Sequence, residues 1–317
     1  MSTLLIPCMG RKLFLGLPQW ISKFPTGETL LENGLKNINL DFYDKIVVVI
    51  FKKDLLLSGS SEIIKRIEKH YPELYFFFLD DLTNGPAETV YKAINQLNIK
   101  GKLIIKDVDT IMKFNSSTSD NFIAGTNIIR YQSDIANLLQ KSFLILNEQG
   151  QILDVIEKKI KSEFISMGMY GFRDAILFKK AFEKLSDTSY PIKKIYISHV
   201  ISYLIGRYGE SFSYSELKEF FSYDTENDWI KMLKKYETYI VDLEKCELSN
   251  HKDLLVEKLK MMKKNNLNIV LFSPREYLSN FDKGVLDIFP IVYKNDVSPI
   301  ILIDSYEKFN LILTEVD

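Results

Sequence analysis

Two carboxylates separated by one residue follow an apolar run in the first half of the chain. The stretch 104–110 is Ile-Ile-Lys-Asp-Val-Asp-Thr and contains Asp107 and Asp109. A run rich in β-branched residues that ends in Asp-x-Asp predicts a buried parallel strand whose carboxyl end lies at the ligand-binding edge of an open α/β sheet. Because Mg²⁺ prefers one or two carboxylates together with phosphate oxygens, the pair could hold Mg²⁺ against a diphosphate. The alternative is a strand and a turn, with Asp109 as a helix N-cap.

A short basic loop follows the first apolar run. Residues 6–12 are Ile-Pro-Cys-Met-Gly-Arg-Lys. Gly10 lets backbone N–H groups approach a triphosphate, and Arg11 and Lys12 could neutralise its charge. The segment therefore predicts a phosphate loop, and the alternative is an ordinary basic loop after a strand.

Two further polar segments follow apolar runs. In residues 83–89, the small residues Gly85 and Ala87 and a rigid proline leave room for a flat base, while Glu88 and Thr89 open a helix. The alternative is a turn followed by an acid in the first turn of a helix. Residues 155–158, Val-Ile-Glu-Lys, end in an acid and in the base Lys158, and the alternative for this pair is a solvated surface position.

Apolar runs alternate with segments of helical period through the first third of the chain, and this alternation predicts right-handed crossovers and a mainly parallel sheet. The predicted strands are 4–6, 46–50, 75–79 and 103–105, and the predicted helices are 30–38, 60–70 and 88–97.

The alternation changes after Asp109 and restarts near residue 238. The middle part is predicted to contain a hairpin at 141–146 and 152–156, a strand at 164–172 and helices at 173–185 and 192–208. The last part is predicted to contain strands at 238–243, 268–272 and 300–303 and a helix at 253–264. We therefore place a domain boundary near Tyr236 and expect domains at 1–236 and 237–317.

Composition limits the function classes. A chain of 317 residues is long enough for two domains, and 41 basic against 42 acidic side chains argue against bulk binding to nucleic acid or to an anionic membrane. The two cysteines, Cys8 and Cys246, can form neither a disulfide framework nor a zinc motif, which favours the cytoplasm. No apolar run approaches the length of a membrane span. Oligomeric state is left open, with a homo-oligomer as one possibility.

The ordered set of motifs resembles the nucleotidyltransferases that make activated sugars or related nucleotide-linked precursors, in particular a group found in bacterial capsule biosynthesis. That group has an Ile-Pro-x-Ala-Gly loop, a Pro-Lys-Trp segment and a Thr-x-Pro-x-Gly-x-Leu segment that opens a helix. Residues 6–12, 18–20 and 24–30 lie in the corresponding order, with Gln19 in place of the lysine. Residues 156–158 and 168–172 look like the Glu-Lys and Gly-x-Tyr-x-Phe pair of the group.

The resemblance implies a nucleotide-diphospho-sugar transferase-like, Rossmann-like domain and a set of roles for its residues. It implies that Asp224 joins Asp107 and Asp109 as a ligand of Mg²⁺ and that Lys158 contacts the phosphate of an acceptor. It also implies that the phosphate loop and the 83–89 loop bind the nucleotide. The residues assigned to the nucleotide are Pro7, Gly10, Arg11, Lys12, Gly85, Ala87, Glu88 and Thr89, of which Arg11 and Lys12 are also assigned to catalysis with Lys158.

The segment 237–317 resembles haloacid-dehalogenase-type phosphatases. The resemblance implies that Asp242 is the nucleophile, Glu244 the acid/base, Ser273 the phosphate ligand and Asp304 the metal ligand. Leu-Glu-Lys stands at 243–245 where that family has Asp-Gly-Thr, so we expect a degenerate domain without hydrolytic activity.

Three functions follow as hypotheses. The first is Mg²⁺-dependent transfer of a nucleotidyl group from a nucleoside triphosphate to a phosphorylated sugar or small polyol, for capsular or surface polysaccharide. The second is a catalytically impaired relative that binds or regulates, because Gln19 removes a charge and the phosphate loop lacks the family's second glycine. The third is a glycosyltransferase of the same fold that consumes a sugar nucleotide, since Asp-x-Asp also binds metal there.

Overall fold

The structure, a computed structural model, divides the chain into two compact units. The first comprises residues 1–11 and 31–224, and the second comprises residues 12–30 and 225–317. The structure describes residues 1–9, 18–24, 26–57, 60–114, 120–131, 135–187, 194–225, 228–229, 231–232, 239–246, 252–264, 268–273, 291–293 and 302–303. The expected boundary near Tyr236 lies outside these described residues.

The described residues form strands and helices in the following chain order. The strands are β1 Ser2–Pro7, β2 Lys45–Phe51, β3 Leu74–Leu79, β4 Lys102–Lys106, β5 Thr110–Met112, β6 Phe122–Asn127, β7 Ser142–Leu146, β8 Gln151–Glu157, β9 Phe164–Phe172, β10 Phe212–Glu216, β11 Phe220–Ser222, β12 Tyr239–Asp242, β13 Ile269–Ser273, β14 Ile291–Tyr293 and β15 Leu302–Ile303. The α-helices are α1 Leu30–Lys36, α2 Ser60–His70, α3 Pro86–Gln96, α4 Ile135–Leu138, α5 Ala175–Ser186, α6 Ile197–Tyr208, α7 Leu243–Cys246 and α8 Lys252–Lys264. The 3₁₀ helices are Gln19–Ile21, Leu40–Phe42 and Lys52–Leu56.

The first unit is built on a nine-stranded sheet in the order β3-β2-β1-β4-β9-β6-β10-β8-β7. Strands β3, β2, β1 and β4 are mutually parallel, and β10 is parallel to β6. The remaining pairs are antiparallel, because β9 runs against β4 and β6 and because β7 and β8 form the predicted hairpin. The expectation of a mainly parallel sheet is therefore correct for the first four strands, and the sheet as a whole is mixed.

The parallel strands form because their side chains are buried on both faces of the sheet. The middle five residues of β2 are all buried, and so are the last five residues of β1, as expected for strands covered by helices on both faces. Helix α2 buries Ile63, Ile64 and Ile67, the stripe that its sequence periodicity predicts. The helix predicted at 192–208 starts later, since α6 begins at Ile197 and Tyr196 is its N-cap.

The described part of the second unit contains a four-stranded sheet in the order β14-β13-β12-β15. All three pairings are parallel, as the restart of the strand–helix alternation predicts. Among the helices that the structure describes, none combines the length and apolarity needed to cross a bilayer.

Candidate functional site

The Asp-x-Asp segment forms a tight turn between β4 and β5. The Nζ atom of Lys106 donates to the backbone oxygens of Asp107, at 2.9 Å, and of Thr110, at 2.6 Å, and Lys106 is only 1% exposed. Gly34 of α1 leaves space for this ammonium group, because a Cβ built there would lie 3.3 Å from Nζ. Strand β5 starts at Thr110, so the alternative in which Asp109 caps a helix is wrong.

Asp224 reaches this turn through a small two-stranded sheet. Strand β11 runs antiparallel to β5, with Ser222 opposite Thr110. The backbone N–H of Tyr223 then donates to the carbonyl oxygen of Asp109 at 2.8 Å. The register therefore brings Asp224 beside the two acids at the end of β4, although more than a hundred residues separate them in the sequence.

The negative charges of Asp109 and Asp224 affect the pKa of Asp107. Burial raises the pKa of Asp107 well above its ordinary value, and Asp109 and then Asp224 add to this rise, while Lys106 and Lys141 oppose it. Burial also lowers the pKa of Lys106 to about 8, against the opposing effect of Asp109 and Asp107. The three acids, Lys106 and Lys141 thus lie in one region that is partly shielded from water.

Lys141 provides the second buried ammonium group of this region. Its Nζ atom lies 2.5 Å from Oδ2 of Asp224, and the two side chains are 8% and 9% exposed. Nζ also donates to Oγ of Ser222 at 2.9 Å and lies 5.2 Å from the ring centre of Tyr131. Burial by itself would lower the pKa of Lys141. The carboxylates of Asp224 and, more weakly, Asp109 outweigh this effect, so the pKa lies above its ordinary value. The ammonium group stays charged at neutral pH.

The donor set fits a hard divalent cation at Asp107 and Asp109. Both are carboxylates that follow one strand end and are only partly buried, which suits the one or two protein carboxylates that Mg²⁺ takes. Within the described ranges, no group of three or more His, Cys, Asp or Glu side chains is arranged to hold a metal ion. The Oδ2 atom of Asp224 is instead in contact with Lys141, and the metal role of all three acids stays a prediction.

Strand β9 lies directly beside Asp107. Gly168 has a φ of +79°, and a Cβ built there would lie 2.7 Å from Oδ2 of Asp107. The N–H of Asp107 donates to the carbonyl oxygen of Gly168 at 2.7 Å. Burial raises the pKa of Tyr170, Asp107 adds to this rise, and a hydrogen bond with Ser166 lowers it. The Gly-x-Tyr-x-Phe segment therefore packs directly against the predicted metal ligand.

Glu157 and Lys158 occupy a structured position rather than a solvated one. The Oε2 atom of Glu157 accepts hydrogen bonds from the hydroxyls of Ser142, at 2.5 Å, and Ser198, at 2.6 Å. Lys158 has a φ of +55°, which is uncommon for a residue other than glycine. Its N–H donates to the carbonyl oxygen of Lys141 at 3.0 Å. This hydrogen bond joins the turn that carries Lys158 to the backbone of the lysine that contacts Asp224.

The side chain of Lys158 meets the segment that precedes α6. Its Nζ atom donates to the hydroxyl of Tyr196 at 2.9 Å and lies 4.7 Å from the ring centre. Lys194 also places its Nζ atom 5.1 Å from that ring centre. Gly85 packs against the same segment, since a Cβ there would lie 2.9 Å from the carbonyl oxygen of Ile195. The predicted base loop and the predicted acceptor lysine thus both contact the segment 194–196.

The other residues of the 83–89 loop hold its shape. Glu88 accepts a hydrogen bond from the N–H of Asn84 at 2.6 Å, and the hydroxyl of Thr89 lies 2.6 Å from that of Thr83. Ala87 and Thr89 are buried. These contacts fix the loop that carries Gly85, and a direct contact of Glu88 or Thr89 with a base stays a prediction.

The predicted phosphate loop falls largely on undescribed residues. Gly10, Arg11 and Lys12 lie outside the described residues, whereas Pro7 is buried at the end of β1. Gln19 belongs to the second unit and is 7% exposed. Its Nε2 atom has no hydrogen-bond partner in the part of the chain that the structure describes.

The second unit brings two of its four predicted residues to one sheet edge. Asp242 ends β12 and Ser273 ends the neighbouring parallel strand β13, and both are buried. Glu244 is exposed in α7, which begins directly after Asp242. Asp304 lies outside the described residues. The hydrolytic roles of these residues stay predictions.

Sequence reasoning missed the side chains that surround the acids. Lys106 lies inside the motif, between an apolar run and an acid, but the pattern alone assigns it no role. Lys141 is the first residue of the hairpin strand predicted at 141–146, and Tyr196 falls within the helix predicted at 192–208. Only tertiary contacts identify these residues, because each has its partner far away in the sequence or on the backbone.

The mixed sheet and an acid turn at the carboxyl end of its fourth strand define an α/β fold shared with nucleotidyltransferases. A nucleoside-diphosphate-sugar pyrophosphorylase from Vibrio cholerae RC9 matches with a TM-score of 0.59 and 16% identity, over 74% of this chain and 100% of that one. An inositol-1-phosphate CTP transferase from T. maritima matches with a TM-score of 0.54 and 13% identity, over 74% of this chain and 95% of that one.

HddC from Yersinia pseudotuberculosis matches with a TM-score of 0.50 and 16% identity, over 74% of this chain and 100% of that one. No protein-family model and no curated protein sequence matches the chain. At these identities the likeness shows the fold, over about three quarters of the chain.

Proposed function

We propose that the chain is an enzyme that transfers a nucleotidyl group from a nucleoside triphosphate to a phosphorylated sugar or small polyol. The observation that carries the proposal is the pair Asp107 and Asp109 at the carboxyl end of β4, with Lys106 hydrogen-bonded to their turn and Lys141 paired with the adjoining Asp224. The solved structures of the same fold support it, since one is named a pyrophosphorylase and another a CTP transferase for inositol 1-phosphate.

The reaction assigns a role to each part of the site. An oxygen of the acceptor phosphate attacks the α-phosphorus, the bond between the α-phosphorus and its bridging oxygen to the β-phosphorus breaks, and pyrophosphate leaves with that bond's electron pair. Asp107 and Asp109 would hold Mg²⁺, which supplies positive charge to the phosphate oxygens. The 83–89 loop would frame the base, and residues 10–12 would bind the phosphates.

Lys158 is proposed to bind the acceptor phosphate. The hydroxyl of Tyr196 accepts a hydrogen bond from its ammonium group. Among the described residues, no carboxylate lies within ion-pair distance of that ammonium group. The strained backbone of Lys158 is typical of functional positions, where surrounding contacts maintain an unfavourable conformation. Glu157, held by two serine hydroxyls, stabilises the strand end that presents this lysine.

The experiment is a pyrophosphate-release assay with Mg²⁺ across CTP, GTP, UTP and ATP, each combined with a panel of sugar and polyol phosphates. We expect turnover that requires both a nucleotide and an acceptor and that falls at least about 100-fold in Asp107→Asn and Asp109→Asn. Asp41→Asn is the matched control, because Asp41 is an exposed aspartate on the Leu40–Phe42 helix. Absence of turnover together with absence of a nucleotide-induced thermal shift would refute the proposal.

A catalytically impaired nucleotide-binding protein is the second candidate. The presence of Gln19 where the resembling group has a lysine favours it, because a positive charge is missing there. This candidate predicts a nucleotide-induced thermal shift without pyrophosphate release. Consumption of a sugar nucleotide without use of a triphosphate would indicate the glycosyltransferase alternative instead.

The second unit is proposed to be a haloacid-dehalogenase-like domain that has lost hydrolysis. Its all-parallel sheet and the positions of Asp242 and Ser273 at adjacent strand ends support the likeness. Helix α7 begins directly after Asp242, so the acid/base position is taken by an exposed helical Glu244. We expect no release of phosphate from p-nitrophenyl phosphate with Mg²⁺, and an Asp242-dependent rate would contradict this. A role in capsular or surface polysaccharide synthesis is proposed from the motif resemblance.

A further inference from the structure

The ion pair formed by Lys141 and Asp224 is buried at both ends. Its two side chains are 8% and 9% exposed, whereas the pairs Arg66–Glu32, Lys92–Glu88 and Lys102–Asp120 each contain a side chain that is at least 30% exposed. A buried ammonium group that loses its carboxylate keeps a large desolvation penalty. Any ion that took Asp224 as a ligand would therefore have to displace a tightly held internal cation.

Three contacts fix Lys141 in this place. Its Nζ atom donates to Ser222 at 2.9 Å and lies 5.2 Å from the ring centre of Tyr131, whose hydroxyl is 3.4 Å from Oδ2 of Asp224. Its carbonyl oxygen accepts the N–H of Lys158. Lys141 is thus held by Asp224, and the neighbouring residue Tyr223 donates its N–H to the carbonyl oxygen of Asp109 at 2.8 Å.

Charge and donor chemistry separate the roles of the three acids. Asp107 and Asp109 already supply the one or two carboxylates that Mg²⁺ takes from proteins, with phosphate oxygens and water completing the shell. Asp224 is neutralised by the ammonium group at 2.5 Å. Two carboxylates therefore suffice for the protein's share of the shell, and Asp224 already has an ammonium partner.

We propose that Asp224 is a positioning residue that holds the Lys141 ammonium beside Asp109, and that a divalent cation in this site is bound by Asp107 and Asp109 without Asp224. This inference rests on the proposed function for its metal. The fixed charge of Lys141 remains in the site whether or not the cation is bound, and it complements the anionic phosphates of a nucleotide.

The test is the affinity of the purified full chain for Mn²⁺, measured from the electron paramagnetic resonance of the free ion, without nucleotide. The decisive variant is the double replacement Lys141→Met with Asp224→Asn, which removes the pair at constant net charge. We expect its dissociation constant to stay within about threefold of the parent value. Asp109→Asn should weaken binding more than about tenfold, because a ligand is lost.

Asp224→Asn alone should also weaken Mn²⁺ binding, since it leaves an uncompensated ammonium group beside Asp109, and adding Lys141→Met should restore the affinity. A double variant that remains more than about tenfold weaker would overturn the proposal, because Asp224 would then be a ligand. The matched control is Lys52→Met with Asp80→Asn, an exposed pair with side chains 61% and 74% exposed. Melting temperatures verify that each variant is folded.

A crystal of the unaltered chain soaked in MnCl₂ provides a second measurement that needs no variant. We expect an anomalous peak coordinated by Asp107 and Asp109, with the contact between Lys141 and Asp224 retained. A peak coordinated by Asp224, or no Mn²⁺ binding in either experiment, would overturn the proposal. Neither experiment uses turnover, so a chain that binds Mn²⁺ as expected but releases no pyrophosphate refutes the proposed function while leaving this inference intact.

Discussion

Removal of the Lys141 ammonium group should destabilise the first unit strongly. Lys141→Met leaves the carboxylate of Asp224, whose side chain is 9% exposed, without its ammonium partner and also deletes the hydrogen bond to Ser222. Breaking a buried pair by removing one partner costs about 3–5 kcal/mol. That loss is a large fraction of the roughly 5–15 kcal/mol by which a domain is stable. Methionine preserves most of the aliphatic volume, so packing contributes little to the change.

The assay has to report on the first unit. Trp20 and Trp229 both belong to the second unit, so tryptophan fluorescence during denaturation would follow the wrong part of the chain. Hydrogen exchange of the backbone amides of β4 and β9 gives the free energy of opening of the sheet that carries the site. A double-mutant cycle of Lys141→Met and Asp224→Asn then isolates the pair, and we expect a coupling of at least about 2 kcal/mol.

The exposed pair Lys52–Asp80 is the control for this cycle. Its side chains are 61% and 74% exposed, so water screens the attraction and its coupling should be far smaller than that of the buried pair. A loss below about 1 kcal/mol in Lys141→Met, or equal coupling in both cycles, would refute the argument that burial gives this contact its strength.

Three further predictions concern the same site. The pKa of Lys106 is lowered to about 8 in the folded chain, so the unfolded chain binds the proton more tightly and the free energy of unfolding should rise by about 3 kcal/mol between pH 8 and 10.5. Lys106→Met should lack that rise in a pH series of urea denaturations followed by amide exchange of β4, and an equal rise in both proteins would contradict the assignment. Gly168→Ala adds backbone strain of about 1–2 kcal/mol and a clash with Asp107, whereas Gly150→Ala, at φ +75° with nothing within 4 Å of the new Cβ, adds the strain alone, so exchange protection and turnover should fall further in the first. Lys158→Met should raise the KM for the acceptor about tenfold while leaving the KM for the nucleotide unchanged, and equal changes in both constants would argue against an acceptor role.

Sequence patterns predict the strands that carry the site better than they predict the sheet as a whole. Strands β1, β2 and β4 are continuous apolar runs, and such runs are typical of strands buried on both faces. Strands β5 and β11 have three residues each, too few for a periodic pattern, and their pairing brings Asp224 to the acids. The antiparallel part of the sheet arises because β9 lies between β4 and β6 and pairs with both. No local sequence pattern predicts this pairing.

The acids of the site follow from the sequence, and the lysines do not. A strand that ends in Asp-x-Asp predicts two neighbouring carboxylates at its end, because both side chains belong to one short segment of the chain. Lys141 contacts Ser222, 81 residues away, and Lys106 is satisfied by two backbone carbonyl groups. Neither arrangement has a sequence motif, so both depend on the folded structure for their detection.

Transfer of an α-³²P label from a nucleoside triphosphate to a phosphorylated acceptor measures the proposed nucleotidyl transfer itself. We expect a labelled, acceptor-dependent product with the parent chain and with Asp41→Asn, and a loss of at least about 100-fold with Asp107→Asn or Asp109→Asn. Product formation that is unaffected by the loss of both acids, or absent from the parent chain with every nucleotide and acceptor in the panel, would contradict nucleotidyl transfer at this site.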